Sequence, residues 1–178
     1  MFLLENAVSV RLPADLKELP DHLFSDCYKL KDVEIPKGVT VIGGSAFSDC
    51  NELDQIELPD GLIEVCNGAF KNTKIEELTF PDGFKYLRRR SLRLMGSLKW
   101  VVLPASTEVV EEQAFYQSEA LEAIYYKGTP EQWEKLLERS DGLKEIKDTV
   151  PVYFLSVTEP MLGGNYWCYG ANGEIKIW

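Results

Sequence analysis

The sequence predicts a right-handed solenoid of stacked coils, dominated by β-structure, with a parallel sheet along one side and a helix and β-hairpin closing its C-terminal end. Three observations carry this reading. A large apolar residue recurs every 22 or 23 positions, further apolar residues follow it at fixed offsets, and a proline with turn chemistry closes most of the runs. The expected organisation is a solenoid over residues 1–127, of about five and a half coils, and a cap over 128–178 belonging to the same structural unit.

The anchors are Phe24, Phe47, Phe70, Leu92 and Phe115. Six residues beyond each lie Leu30, Leu53, Leu98 and Leu121; nine beyond lie Val33, Ile56, Val101 and Ile124; eleven beyond lie Ile35, Leu58, Leu103 and Tyr126. The coil of Phe70 is one residue short and contributes Ile75, Leu78 and Phe80, and an incomplete coil opens the chain with Val10 and Leu12. A repeat of this length with an LxxLxL core marks a leucine-rich solenoid. One coil is too small to hide its own apolar side chains, so stacked coils must share one interior.

Each element has a local cause. In LDQIEL (Leu53–Leu58) apolar and polar residues alternate, as in a strand with one wet face. Pro36, Pro59 and Pro81 then end the strands, because proline lacks the amide that the next coil's ladder needs. Pro-Lys-Gly and Pro-Asp-Gly supply the turns, with glycine relieving the corner. Val39, Ile42, Leu62 and Val65 are expected on the opposite wall, and Ala46, Ala69 and Ala114 are small to make room for the adjacent rings. In the cap, Thr129-Pro130-Glu131 is a helix start, giving a helix over 130–139 that Asp141-Gly142 stops, with Trp133, Leu136 and Leu137 as its apolar stripe. A strand is expected at 152–155 and a hairpin over 166–178 around GANG.

The phrase IGGSAFSDCNELDQIELP (Ile42–Pro59) resembles the bacterial BspA-like leucine-rich repeats, a resemblance that covers roughly residues 8–127. The closing stretches YYKGTPEQWEKL, PVYF and GNYWCYGANGEIKIW are similar to the C-terminal segment of many such proteins from gut Firmicutes. Leu155 stands where that pattern has Tyr and Cys168 where it has His, and Arg88-Arg89-Arg90 replaces the Gly43-Gly44-Ser45 of the second full coil. The resemblance implies a surface or secreted protein that contacts host proteins or other cells.

Composition narrows the function. Asp and Glu number 29 against 19 Lys and Arg, a net charge of −10, which opposes nucleic-acid binding and a basic membrane-surface role. No apolar run is long enough to span a membrane. The start, MFLLENAVSV, has no positive n-region or cleavage site and is read as lacking a signal peptide. Location therefore stays open between the surface, which the resemblance implies, and the cytoplasm.

Catalytic chemistry finds no constellation. His22 is the sole histidine and sits in a polar turn. Cys27 and Cys50 share one slot in neighbouring coils, at a spacing that does not forbid a disulfide, or else serve as buried thiols. No CxxC pair or other ligand set suggests zinc, and no cofactor is expected. Outward-facing acids offer calcium oxygen ligands but are read first as a solvated face.

The outward strand positions change along the stack. Asp32, Glu34, Gln55, Glu57 and Glu77 make the first coils acidic, whereas Trp100, Val102 and Tyr125 make the last two aromatic and aliphatic. This face is the expected protein-binding surface, unless the cap folds back over its apolar end. Arg88, Arg89, Arg90 and Arg93 are a candidate contact for an anionic partner. The sequence thus points to a non-enzymatic protein-binding module, with a host or bacterial surface protein as partner. A structural spacer within a larger surface protein, or a glycan-acting enzyme, are the alternatives.

Overall fold

The structure, a computed structural model, describes residues 6–158, 160 and 164–178. Each coil runs through three walls. The front wall, carrying the LxxLxL runs, holds β1 (Ser9–Arg11), β3 (Asp32–Glu34), β6 (Glu77–Thr79), β8 (Trp100–Leu103) and β10 (Ala123–Tyr126). The second wall holds β2 (Glu18–Leu19), β4 (Val41–Ile42), β5 (Glu64–Val65), β7 (Tyr86–Leu87) and β9 (Val109–Val110), which pair in parallel as one five-stranded sheet. The anchors form the third wall. Register follows the repeat: Val10 lies beside Val33, Leu78 beside Val101, and Val101 beside Ile124.

The anchor wall is built from tight turns. The residue two before each anchor and the residue two after it are left-handed in every coil: His22 and Asp26, Ser45 and Asp49, Gly68 and Asn72, Arg90 and Leu94, Gln113 and Gln117, all with φ between 53° and 63°. The anchor amides of this wall point one way, towards the next coil, while the amides next to each anchor bond within their own coil. Phe24 N–H donates to Ala46 O (2.7 Å), Phe47 N–H to Ala69 O (2.8 Å), Phe70 N–H to Ser91 O (2.9 Å) and Leu92 N–H to Ala114 O (2.9 Å). The left-handed conformations fall here and not at Gly38, Gly61 or Gly83, against the expectation that the Pro-x-Gly corners use glycine's freedom.

Inside, Phe24, Phe47 and Phe70 are fully buried and their rings stack at 5.3 Å from coil to coil. Stacked rings at this distance add to the burial term. Ala46, Ala69 and Ala114 are sealed beside them, and Val39, Ile42, Leu62 and Val65 close the opposite side, all fully buried.

One expected strand is absent. Leu53–Leu58 carries no strand assignment, and Gln55, Ile56, Glu57 and Leu58 donate no backbone hydrogen bond to a described residue. The front wall is therefore split into a pair, β1–β3, and a longer sheet beginning at β6. The alternation survives, since Ile56 and Leu58 still pack half-buried on the core. Two sequence features bear on the interruption. The next coil reaches its strand one residue early, and Glu57 repeats the charge of Glu34 in the same slot, a like-charge pairing that disfavours strand contact.

The C-terminal end is closed by polar side chains as well as by apolar ones. Helix α1 (Pro130–Glu138) starts on a reciprocal cap, Gln132 N–H to Thr129 Oγ (3.3 Å) and Thr129 N–H to Gln132 Oε1 (2.8 Å). Trp133 and Leu136 bury against the last coil. Asp141-Gly142 does not simply stop the chain but opens a second short helix, α2 (Asp141–Lys144). Gly142 permits it, because a Cβ there would lie 2.1 Å from Glu111 O. Ser140 Oγ then accepts from Val110 N–H (3.0 Å) and the Glu145 carboxylate from Gln113 N–H (3.0 Å), replacing acceptors that a further coil would supply.

Two stability measurements follow. Phe47→Ala is expected to lose about 3–5 kcal/mol in chemical denaturation, the range for emptying a buried ring site. Gly68 has φ +63°, and a Cβ there meets nothing closer than Ser45 Oγ at 3.4 Å. Gly68→Ala is therefore expected to lose about 1–2 kcal/mol from backbone strain alone, and a wild-type melting temperature would contradict the left-handed assignment.

Candidate protein-binding groove

The front sheet continues past the solenoid. Strand β11 (Val152–Leu155) pairs in parallel with β10, β12 (Tyr166–Tyr169) in parallel with β11, and β13 (Ile175–Ile177) antiparallel with β12. The hairpin tip closes with Gly170 N–H to Glu174 O (2.8 Å) and a left-handed Gly173. The sheet curls so that Trp167, fully buried, packs on Tyr125 at 5.4 Å between ring centroids and donates its indole N–H to Tyr126 O (3.3 Å). Val102, Ala123, Tyr125 and Trp167 form a second apolar core, separate from the solenoid interior and flanked by Trp100, Tyr153, Leu155 and Ile175.

This placement corrects the exposure expected of the apolar end. Val102 is 1% exposed and Tyr125 7%, both covered by the hairpin, because a curled sheet buries its own face. Trp100 is half-buried at the rim. Between the hairpin and the front wall runs an open groove of about 1170 Å³. Its floor includes Glu57, Glu77, Thr79 and Trp100, and its far wall Tyr169 and Ile177. Asp32, Glu34 and Gln55 lie on the same face towards the N-terminal end, outside the groove.

The hairpin's contribution was not read from the sequence. Tyr169 (46% exposed) and Ile177 (54%) present apolar surface to the groove. The signal was available, since Trp167 and Tyr169, like Ile175 and Ile177, sit two apart and so share a face of a strand. Lys127 bridges the two sides. Its ammonium pairs with Asp82 (2.8 Å) and lies 5.9 Å from the Tyr169 ring centroid. Burial works against its charge, but the Asp82 carboxylate beside it leaves the Lys127 pKa raised.

The arginine cluster is engaged within the protein. Arg88 pairs with Glu64 (2.7 Å) and Glu111 (2.8 Å), and the hydrogen bonds it donates to those carboxylates hold its pKa above the usual value. Arg89 pairs with Glu112 (2.8 Å), Arg90 donates to Gln113 Oε1 (2.6 Å), and Arg93 lies over the Tyr116 ring. Partner contact through Arg88 would have to break two ion pairs.

His22 is exposed, while Cys27 and Cys50 are buried thiols that form no disulfide. Burial, with the Cys27 thiol beside it, pushes the Cys50 pKa up to about 12, the reverse of nucleophile activation. Cys50 Sγ instead donates to Phe24 O (3.1 Å), as Ser118 Oγ does to Leu92 O (2.6 Å), so in these two coils the slot satisfies the preceding anchor's carbonyl, whereas Thr73 in the same slot donates to Phe70 O of its own coil. The carboxylates of the groove, Glu57, Asp60, Glu77, Asp82 and Glu174, are all exposed, so none sits in the apolar pocket that a carboxyl acid catalyst requires. Among the described residues no group of His, Cys, Asp and Glu is placed to hold a metal ion, and no helix is long and apolar enough to cross a membrane.

Stacked coils with a parallel front sheet and a capped end define a leucine-rich repeat solenoid. The chain belongs to the BspA family: the BspA type Leucine rich repeat region matches residues 4–137 in six copies. No curated protein matches the chain. Among solved structures it is similar to a leucine-rich repeat protein from Bacteroides ovatus ATCC 8483, at 31% identity and a TM-score of 0.63, over 66% of this chain and 30% of that one. It is also similar to a leucine rich cell surface protein from Faecalibacterium prausnitzii A2-165, at 26% identity and a TM-score of 0.68, over 72% of this chain and 34% of that one. The pneumococcal vaccine antigen PcpA matches at 25% identity and a TM-score of 0.67, over 85% of this chain and 37% of that one. The chain thus spans about a third of the length of each.

The thiol assignment has a direct check. Alkylation of the native protein at neutral pH is expected to leave Cys27 and Cys50 unmodified in the mass spectrum, both reacting once the chain is unfolded. Modification of Cys50 in the folded state would contradict its burial.

Proposed function

We propose that the chain is a protein-binding module of a bacterial surface or secreted protein, acting through the groove between its front sheet and its C-terminal hairpin. The groove itself carries this reading. It is large and open, it carries the half-buried ring of Trp100 on its floor and the half-exposed ring of Tyr169 on its far wall, and it stands on a scaffold hydrogen-bonded from coil to coil. Aromatic side chains beside polar ones, on a surface that does not need to move, are what a protein interface uses as anchors. The description of the Faecalibacterium relative as a cell surface protein supports the location, and the pneumococcal relative's description as a vaccine antigen is consistent with it. No catalytic step is assigned.

A second reading, a repeat spacer without its own ligand, is favoured by one observation: the hairpin buries Val102 and Tyr125 and so removes much of the apolar patch. One substitution separates the two. Thr79 is exposed on the groove floor, in register with Val102 of the second apolar core, and Thr79→Trp fills the groove from that exposed position. The binding reading expects this variant to keep the wild-type circular dichroism spectrum and melting temperature but to lose at least tenfold in capture of surface proteins from cell-envelope extracts. Undiminished capture by the folded variant would leave the spacer reading.

A further inference from the structure

We infer that the groove receives an extended, lysine- or arginine-bearing segment of a partner protein, with a cationic side chain seated by Glu57, Glu77 and the rings of Trp100 and Tyr169. This rests on the reading of the groove as a binding site and adds the chemistry of what it binds.

Charge is distributed unevenly between the walls. Along the C-terminal part of the second wall and its turns four acids are neutralised from the neighbouring coil, Glu64 and Glu111 by Arg88, Glu108 by Lys85 (2.8 Å), and Glu112 by Arg89, whereas Glu18 on β2 has no such pair among the described residues. On the front face Glu34, Glu57, Asp60 and Glu77 have no cation within 4.0 Å among the described residues. Three of these, Glu57, Asp60 and Glu77, line the groove, where Lys127 is the one lining cation and is already held by Asp82. The groove is therefore short of positive charge, and its acids are exposed to exert their field on an arriving partner.

The rings give the cation a place. Lys127 shows that the Tyr169 ring tolerates an ammonium near it, at 5.9 Å from its centroid. An aromatic ring attracts a cation electrostatically, more so where water is partly excluded. Trp100 lies on the same groove, within the side that carries Glu77, since Glu77 and Trp100 are register partners on β6 and β8. A volume of about 1170 Å³ exceeds the roughly 300–1000 Å³ of pockets for single small ligands, and its open form suits a chain passing through.

The test uses the full chain and two fluorescein-labelled nonapeptides, one alternating lysine with threonine and one alternating glutamate with threonine, followed by anisotropy at 50 and 300 mM NaCl. The lysine peptide is expected to bind, to weaken at least tenfold at the higher salt, and to lose at least fivefold with Glu57→Gln plus Glu77→Gln and with Tyr169→Ala. Because the whole chain carries a charge of −10, a charge-matched control is needed. Glu134→Gln plus Glu138→Gln, on α1 and outside the groove, should change affinity less than twofold. Equal loss in both double variants, or lysine-peptide binding that survives Thr79→Trp, would overturn the inference by showing diffuse attraction. Preference for the glutamate peptide, or no binding of the lysine peptide while Thr79→Trp still abolishes protein capture, would overturn the cationic partner and leave the groove standing as the binding site.

Discussion

The anchor of every coil but the last depends on the next coil for its hydrogen-bond acceptor. The anchor amides all run forward, from Phe24 to Ala46, from Phe47 to Ala69, from Phe70 to Ser91 and from Leu92 to Ala114, while second-wall amides such as those of Thr40, Cys66 and Glu111 donate to the coil before. That arrangement requires two left-handed residues per coil, and the chain adopts them even with Arg90, Leu94 and Gln117 at those positions. Left-handed conformations are unfavourable for such residues. They persist because the alternative is an anchor segment whose buried amides find no partner. Ring stacking and the forward ladder act on the same residues, so the phenylalanine fixes both the interior and the backbone of its wall.

A stack built this way is open at its C-terminal end, and the form of the closure follows. The last coil's amides need acceptors, and the cap brings Ser140 and Glu145 to them alongside the apolar cover of Trp133 and Leu136. The front sheet has the same need, which β11 and then β12 meet by adding in parallel. Once the sheet has been extended past the solenoid its curl carries Trp167 onto Tyr125. The groove is thus a by-product of ending the repeat: the same strands that satisfy the edge of β10 stand up as its far wall.

The periodic part of this fold was legible in the sequence because burial repeats at fixed offsets. The anchors, Leu30 and its equivalents, and Val39, Ile42, Leu62 and Val65 could be assigned from spacing alone, and all are buried. What spacing cannot express is conformation that depends on a neighbour. The left-handed slots hold His, Ser, Gly, Arg, Gln, Asp, Asn and Leu, so no residue type announces them. The missing strand at Gln55–Leu58 keeps its alternation and loses only its partners. The groove was half-legible. Glu57, Glu77 and Trp100 were marked by their outward positions, but Tyr169 and Ile177 belong to a hairpin whose packing on the front face depends on sheet curl, which no short-range pattern encodes.

The placement of charge is harder to attribute to stability. Stacking brings residues 22 to 24 apart into contact, and most of the solenoid uses this to pair opposite charges: Asp49 with Lys71, Glu64 with Arg88, Glu76 with Lys99, Lys85 with Glu108. On the front face Glu57 falls in the slot of Glu34; Glu34 has Arg11 as its register partner in the coil before, whereas Glu57 has no cation within 4.0 Å among the described residues. Like charges in register weaken a sheet, and the front wall is interrupted at that coil. Under the function proposed for the groove, this slot sets carboxylates where they attract a partner, at a cost in strand pairing.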